Sequence, residues 1–181
     1  MQFNTFIFLF FILAVTIVYY ISSAGKRNLV LLVSNYLFYS YFDYRFAFLL
    51  LGLTSFTYLI GNKIFDTKNY NKKRNLIILA LIINLIVLGF FKYFNFFSHS
   101  FSSLLQLLGL GFNSFTLKLL LPLGISFYIF QTLTYIFDIY YENISEKYTF
   151  IEFAVFASFF PTVVAGPIER ASRLLPQIKC E

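Results

Sequence analysis

The sequence predicts an all-α fold, a polytopic integral membrane bundle of about five to six membrane segments with interfacial or re-entrant helices between them. Two observations predict this class. The 181 residues are 59% hydrophobic and only 12% charged, a composition that ordinary soluble domains do not have. The apolar runs are long and lack the alternation expected of the strands of a membrane barrel. We therefore expect residues 1–181 to form a single membrane domain, with no soluble domain.

The first apolar run, residues 3–21, is long enough to cross a bilayer. Lys26 and Arg27 follow it directly, which favours a retained span over a cleaved signal peptide. The cleaved alternative stays open, because residues 22–24 (Ser-Ser-Ala) would fit a cleavage site.

Two shorter runs follow at residues 28–42 and 46–60, with a tight turn predicted at 43–45 between them. Gly61 and Asn62 predict the end of the third helix, because both residue types favour helix C-termini.

The segment 62–75 is the most polar loop of the chain. It contains one acid, Asp66, and five basic residues, which are Lys63, Lys68, Lys72, Lys73 and Arg74. Basic loops tend to stay in the cytoplasm. If the first three runs all span, Lys26 and Arg27 lie on the same side as this loop and the N-terminus lies outside. The net charge of +6 thus indicates orientation and not nucleic-acid binding.

The fourth run, residues 76–91, is uniformly apolar, and residues 91–97 form an aromatic belt typical of a membrane interface. Residues 98–111 mix Leu and Phe with Ser, which predicts an interfacial amphipathic or re-entrant helix and not a span. His99 is the single histidine, and it has no acidic or cysteine neighbour in sequence, so we expect a surface residue.

Residues 115–141 are long for one span, so we expect a break or kink at 122–124, with the main helix beginning there. On a helix of about 100° per residue, four polar residues share one face. They are Gln131, Thr134, Asp138 and Tyr141. Gln131 and Asp138 are costly against lipid, so this face should point at other helices or at an aqueous cavity. Hydrogen bonding between helices is the alternative role.

After a polar loop at 142–149, the run 150–164 is short for a span and predicts a re-entrant or obliquely buried segment. Pro161, Gly166 and Pro167 then interrupt the backbone. Broken backbone at membrane depth survives only where protein or water covers it, so this segment should line a covered space. A plain loop at the membrane surface is the alternative.

Residues 170–178 predict a short amphipathic surface helix, with Ser172 and Pro176 as weak boundaries. The sequence contains no Gly-rich phosphate loop, nucleophile triad or metal-ligand spacing, so no metal site is expected. The single cysteine, Cys180, excludes an internal disulfide framework. Asp138 and Glu142 are four residues apart and would share a helix face, a spacing that acid–base chemistry uses.

Two longer segments carry a more specific pattern. They are residues 121–140, LPLGISFYIFQTLTYIFDIY, and residues 159–170, FFPTVVAGPIER. Together with the stretch FKYFNFF at 91–97, they resemble the membrane-bound O-acyltransferase family, in its bacterial alginate O-acetyltransferase branch.

The resemblance implies a partial fold of that family, a helical bundle around a central tunnel in the bacterial plasma (inner) membrane. It implies acyl transfer from acetyl-CoA or another acyl thioester, which is a substrate; no cofactor is expected. The acceptor would be a hydroxyl of an exported polysaccharide such as alginate, cellulose or peptidoglycan. In this picture the tunnel-wall candidates are Gln131, Asp138, Gly166, Pro167 and Arg170. Arg170 would pair with a donor phosphate or a carboxylate.

The resemblance also implies a catalytic histidine beyond Glu181, in the second half of a longer chain, and His99 does not match it. We therefore expect an N-terminal half that is inactive without the missing C-terminal half. The expected partners are the lipid bilayer, that missing half and an extracytoplasmic acetyl-transferring protein. The alternative function is a non-enzymatic membrane protein, such as a transporter component or a channel-like subunit.

Overall fold

The computed structural model describes residues 5–107 and 124–179, and within these two ranges all regular structure is helical. The all-α prediction is therefore confirmed for this part of the chain. The helices in order are α1 Phe6–Ile21, α2 Ala24–Ser40, α3 Tyr44–Asp66, α4 Tyr70–Leu107, α5 Ile125–Tyr140, α6 Phe150–Ser158, α7 Phe160–Ala165 and α8 Ala171–Lys179.

Two of these helices, α3 and α4, are long and apolar enough to cross a membrane. They contain 23 and 38 residues, which corresponds to lengths of about 35 and 57 Å at a rise of about 1.5 Å per residue. The helix α1 is also apolar but shorter, at 16 residues. The number of membrane segments, about five to six, stays a prediction.

The turn between α2 and α3 lies slightly earlier than predicted. Tyr41 and Phe42 form the turn, and Asp43 is the N-cap of α3. The Asp43 carboxylate accepts from the Arg45 backbone N–H at 2.8 Å. It therefore satisfies one of the amides that the first turn of a helix leaves unpaired.

The prediction that Gly61 and Asn62 end the third helix is wrong, because α3 continues to Asp66. Gly61 is buried where α3 crosses α5. A Cβ added there would overlap the ring of Tyr135 and lie 3.3 Å from Cδ1 of Ile139. Gly61 therefore allows α3 and α5 to pack closely, and it does not end α3.

The predicted polar loop at 62–75 is mostly helical too. Only residues 67–69 connect α3 to α4. The Asn69 side chain accepts from the N–H groups of Asn71 and Lys72, at 3.0 and 3.3 Å, and so caps the start of α4. The charged residues extend the ends of two helices that the apolar pattern alone would have cut short.

The sequence predicted three separate pieces after residue 75: a span, an aromatic belt and an amphipathic piece. In the structure, residues 76–107 form one continuous helix together with the polar residues before them. No proline interrupts the sequence from residue 76 to residue 107. The hydroxyl of Ser103 donates to the carbonyl of His99 at 3.0 Å, a bond within the helix. His99 is exposed, as predicted. Residues 108–111 of the predicted piece, and 115–123 of the next run, lie outside the described residues.

The helix α5 is the central element of the described bundle, and it packs against α3, α4, α6, α7 and α8. It begins directly after Gly124, close to the predicted start. Its core includes Tyr128, Ile129 and Ile136, all with 0% exposure.

One end of the bundle, here called the charged end, collects the α1–α2 link, the α3–α4 turn, the α5–α6 loop and the C-terminal end of α8. A hydrogen bond joins Asn28, near the start of α2, to the end of α8, where Asn28 Nδ2 donates to Ile178 O at 3.1 Å. Three ion pairs join the other pieces: Lys147 Nζ to Asp66 Oδ1 at 2.6 Å, Lys73 Nζ to Glu142 Oε1 at 3.7 Å, and Lys179 to Glu146. The hydrogen bond to Glu146 raises the pKa of the Lys179 ammonium above its ordinary value.

Candidate functional site

The helices α6, α7 and α8 form a hairpin that enters the bundle and returns to the same end. The helix α6 starts at the charged end, where Thr149 and Glu152 make a reciprocal capping box. Six consecutive residues of α6, from Phe153 to Ser158, are buried. The helix α8 ends beside the same loop, through Lys179 and Glu146. The chain therefore turns back after the run 150–164, and a re-entrant or obliquely buried position of this run in a membrane stays a prediction.

At the inner end of this hairpin lies what we call the broken segment, residues 159–170. The break between α6 and α7 falls at Phe159, and Asn35 of α2 reaches it from the side. The Asn35 amide donates to the hydroxyl of Ser158 at 3.3 Å, and its oxygen accepts from the N–H of Phe160 at 3.4 Å. Asn35 is fully buried. It satisfies a backbone amide that the break removes from the helical pattern.

Asn35 was not predicted as a site residue. The sequence does contain a feature that indicates this residue. Asn35 is a polar residue inside an apolar, aromatic run, as Gln131 is in a later run. A polar side chain inside such a run needs a partner within the protein.

Three side chains of α5, here called the seam, hold the rest of the hairpin: Gln131, Thr134 and Asp138. Gln131 has 0% exposure. Its Nε2 donates to the carbonyl of Phe156 in α6 at 2.6 Å, and its Oε1 accepts from the hydroxyl of Thr162 in α7 at 3.1 Å. One amide side chain therefore ties together the two helices on either side of the break.

Thr134 and Asp138 together cap the N-terminus of α8. The Thr134 hydroxyl accepts from the N–H of Ala171 at 3.2 Å, and Asp138 Oδ2 accepts from the N–H of Ser172 at 2.8 Å. Asp138 Oδ1 accepts from the side-chain amide of Asn143 at 3.1 Å. Each carboxylate oxygen thus has a donor, and the negative charge lies at the positive end of a helix.

The fourth residue of the predicted polar face does not join the seam. Tyr141 is 67% exposed and follows the last residue of α5. The predicted pairing of Asp138 and Glu142 on one helix face is wrong, because α5 ends at Tyr140 and Glu142 has a φ of 60°. Glu142 lies instead 3.7 Å from Lys73 of α4.

Two glycines let the backbone of this region pack closely. Gly124 has a φ of 70°, and a Cβ there would lie 2.6 Å from the carbonyl oxygen of Val163 in α7. Gly166 follows α7, and a Cβ there would lie 2.8 Å from Cα of Thr162. Its N–H donates to the Thr162 carbonyl at 3.0 Å. A larger residue at Gly124 would collide with α7, and one at Gly166 would collide with the backbone of Thr162 inside the broken segment.

The structure separates the five tunnel-wall candidates into two groups. Gln131 and Asp138 are buried and bound to the hairpin, and Gly166 is partly buried in the turn after α7. Pro167 and Arg170 are exposed. Among the described residues, no carboxylate lies within ion-pair distance of Arg170.

A second buried polar cluster, which the sequence did not predict, joins α2, α3 and α5. The hydroxyls of Thr54 and Tyr128 are hydrogen-bonded to each other, and Tyr128 Oη donates to the carbonyl of Leu50 at 2.9 Å. Tyr36 Oη lies 3.5 Å from the Thr54 hydroxyl. These hydroxyls satisfy one another between helices, the role that polar residues commonly have in membrane bundles.

The hydrogen bonds of the seam position the hairpin α6–α8 against α5. The side chains of the seam bind backbone groups of Phe156, Ala171 and Ser172, and Gln131 also accepts from the Thr162 hydroxyl, so the seam holds the segment between α6 and α8 in place. Across the described ranges, no three His, Cys, Asp or Glu side chains come close enough to hold a metal ion.

Fold and site together define a class: over the described residues the chain is helical, two apolar helices are long enough to cross a membrane, and α5 holds the hairpin α6–α8 by hydrogen bonds. Known proteins with similar sequences show what this chain resembles. The chain is 37% identical over 98% of its length to the probable alginate O-acetylase AlgI of Pseudomonas aeruginosa, and covers 34% of that protein. It is 34% identical over 98% of its length to the peptidoglycan O-acetyltransferase of Helicobacter pylori, and covers 38% of it.

The AlgI protein of Azotobacter vinelandii matches in the same way, at 37% identity over 96% of this chain and 35% of that protein. The resemblance to the alginate O-acetyltransferase branch is therefore confirmed, and the chain corresponds to the N-terminal part of these enzymes. It spans about a third of the length of the curated relatives it matches. No family model matches the chain, and no solved structure matches it significantly.

Proposed function

We propose that this chain is the N-terminal part of a membrane-bound O-acetyltransferase that acetylates hydroxyls of an exported polysaccharide. The observation that carries the proposal is the similarity of nearly the whole chain to proteins named alginate O-acetylase and peptidoglycan O-acetyltransferase. Alginate and peptidoglycan are thus the acceptor classes we favour.

In the proposed reaction a hydroxyl oxygen of the acceptor sugar attacks the carbonyl carbon of an acyl thioester, such as acetyl-CoA. A base takes the hydroxyl proton, the bond from carbon to sulfur breaks, and the thiolate leaves. We place this base, a histidine, in the region of the relatives that lies beyond the matched part. His99 is exposed on α4 and is not a candidate.

For the described residues we propose a structural part in this reaction. The seam holds the broken segment at a fixed place in the bundle, and Gly166, Pro167 and Arg170 face the tunnel through which the acyl group passes. Gln131 and Asp138 support that wall from behind, because their polar atoms are bound to α6, α7 and α8. The exposed guanidinium of Arg170 is suited to a phosphate of the donor or to a carboxylate of the remaining enzyme.

We also propose a polytopic domain of about five to six spans in the bacterial inner membrane, with the N-terminus outside. Its charged end carries Lys26, Arg27 and the basic residues of the α3–α4 turn, which is typical of a cytoplasmic face. The proposed partners are the C-terminal part of the enzyme and an extracytoplasmic acetyl-transferring protein.

The test is acetyl transfer in bacterial membranes that contain this chain, with and without the complementary C-terminal part of the Pseudomonas aeruginosa relative. A labelled acetyl donor and an alginate acceptor are supplied, and label in the polymer is measured. We expect transfer only when both parts are present. Absence of transfer in every combination, together with solute flux through the membranes, would support a transporter instead.

A further inference from the structure

A pocket of about 510 Å³ opens at the turn between α3 and α4, at the charged end. Its polar wall comes from Lys63 near the end of α3, Thr67 in the turn, and Lys72 and Asn75 near the start of α4. Two lysine residues thus line one space from two helices. Neither the seam nor the broken segment contributes to this pocket.

The two lysines are the available positive charges of this pocket. Asp66 also lines it, but the Asp66 carboxylate is engaged at 2.6 Å by Lys147 from the α5–α6 loop. Lys63 and Lys72 are exposed, and no carboxylate among the described residues pairs with either. The pocket therefore presents a net positive field to any ligand that enters.

The opposite wall is apolar. It is formed by Leu76 and by Leu79, which is 45% exposed. These two leucines begin the apolar part of α4, and α3 and α4 are the two helices of membrane-crossing length. Polar residues thus give way to apolar residues along α4, and this is the direction from the surface into the hydrocarbon if α4 crosses the membrane as proposed.

We propose that this pocket binds an anionic phospholipid, with the headgroup phosphate between Lys63 and Lys72 and an acyl chain along Leu76 and Leu79. Basic pockets between helices at a membrane surface suit anionic headgroups. The shared chemistry is a phosphate group, which a soluble phosphate compound also carries. The apolar wall favours the lipid, because a soluble phosphate gains nothing from it. This lipid site is independent of the acetyl-transfer proposal.

The experiment is native mass spectrometry of the full chain in detergent, titrated with phosphatidylglycerol or with zwitterionic phosphatidylcholine. We expect tighter binding of phosphatidylglycerol. The double variant Lys63→Gln/Lys72→Gln should weaken it about 30-fold, since each lysine near an anionic surface contributes about 1 kcal/mol. Each single variant should weaken it about 5-fold, which keeps the test open if the double variant does not fold.

The matched control is Lys68→Gln/Arg74→Gln, which removes two charges from the same region without touching the pocket wall. We expect this control to retain most of the affinity. Equal losses in both double variants would show a diffuse surface charge effect and overturn the proposal. Displacement of the lipid by excess inorganic phosphate would assign the pocket to a soluble ligand and would also overturn it.

Discussion

Asp138 is a buried carboxylate whose two oxygens each accept one hydrogen bond, from Ser172 N–H and from the Asn143 amide. A substitution of this one residue can therefore test whether Asp138 caps α8. A buried charge is tolerated only when it is paired or hydrogen-bonded. The partner here is the N-terminus of a helix, so the carboxylate stabilises the position of α8.

We expect Asp138→Ala to destabilise the chain by about 1–3 kcal/mol, because it leaves the amide of Ser172 without an acceptor. Asp138→Asn keeps an oxygen for that amide but loses the charge and one of the two acceptor oxygens, so it should cost less than Asp138→Ala, about 1 kcal/mol. The thermal unfolding midpoint of the full chain in detergent, followed by circular dichroism, measures both. Equal midpoints for Asp138→Ala and the unchanged chain would contradict the capping role.

Gly61 offers a second test of this kind. We expect Gly61→Ala to cost about 1–3 kcal/mol, because the added methyl group overlaps the Tyr135 ring in a packed interface. Gly52 lies on the same helix, and no heavy atom would lie within 4 Å of a Cβ there. Gly52→Ala should be neutral or stabilising by up to about 1 kcal/mol, through helix propensity alone. If both variants unfold at the same midpoint, close packing of α3 on α5 is not the reason for the glycine.

At the scale of the element, the hairpin α6–α8 is held from two sides, by Asn35 of α2 and by the seam of α5. The apolar contact of Phe160 with Phe38 adds to this, with ring centroids 5.0 Å apart in a stacked pair. The break at Phe159 therefore has partners for its polar backbone and for its aromatic side chains. Broken backbone inside a bundle requires such cover.

Two of the three interrupting residues, Pro161 and Gly166, should differ in effect. Pro161 lies in the first turn of α7, where a helix leaves its N–H groups unpaired, so Pro161→Ala should cost less than about 0.5 kcal/mol. Gly166→Ala places a methyl group against Cα of Thr162 and should cost about 1–3 kcal/mol. Limited proteolysis of the full chain compares the two. Faster cleavage within residues 159–170 of Pro161→Ala than of Gly166→Ala would show that proline, and not glycine, sets the break.

Much of this element was predictable from the sequence. Gln131, Asp138 and the interruptions at Pro161 and Gly166 are visible as polar or helix-breaking residues in apolar surroundings. The partners of the broken segment were not predictable, because the hydrogen bond that the Phe160 N–H donates to Asn35 Oδ1 joins residues 125 positions apart. The sequence also predicted helix ends at Gly61 and near Lys92, where the structure has none. Local propensity suggested ends there, whereas packing against α5 and the uninterrupted helix α4 decided otherwise.

At the scale of the whole molecule, the charged end organises the bundle. The links and loops that meet there carry most of the basic residues described, and three ion pairs join them. Exposed pairs of this kind contribute little to stability individually. Their common location matters more, because a concentration of Lys and Arg on one side fixes the orientation of a membrane protein.

This arrangement predicts the sidedness of α3. In a Cys180→Ser background, Lys68→Cys places a thiol in the α3–α4 turn, and Phe42→Cys places one in the turn at the other end of α3. We expect a membrane-impermeant maleimide to label Phe42→Cys in intact cells and Lys68→Cys only after permeabilisation, because basic loops tend to stay in the cytoplasm. The Cys180→Ser background without a new cysteine is the control and should remain unlabelled. Labelling of both positions from the same side would mean that α3 does not cross the membrane, and the proposed orientation of the entire bundle would then be wrong.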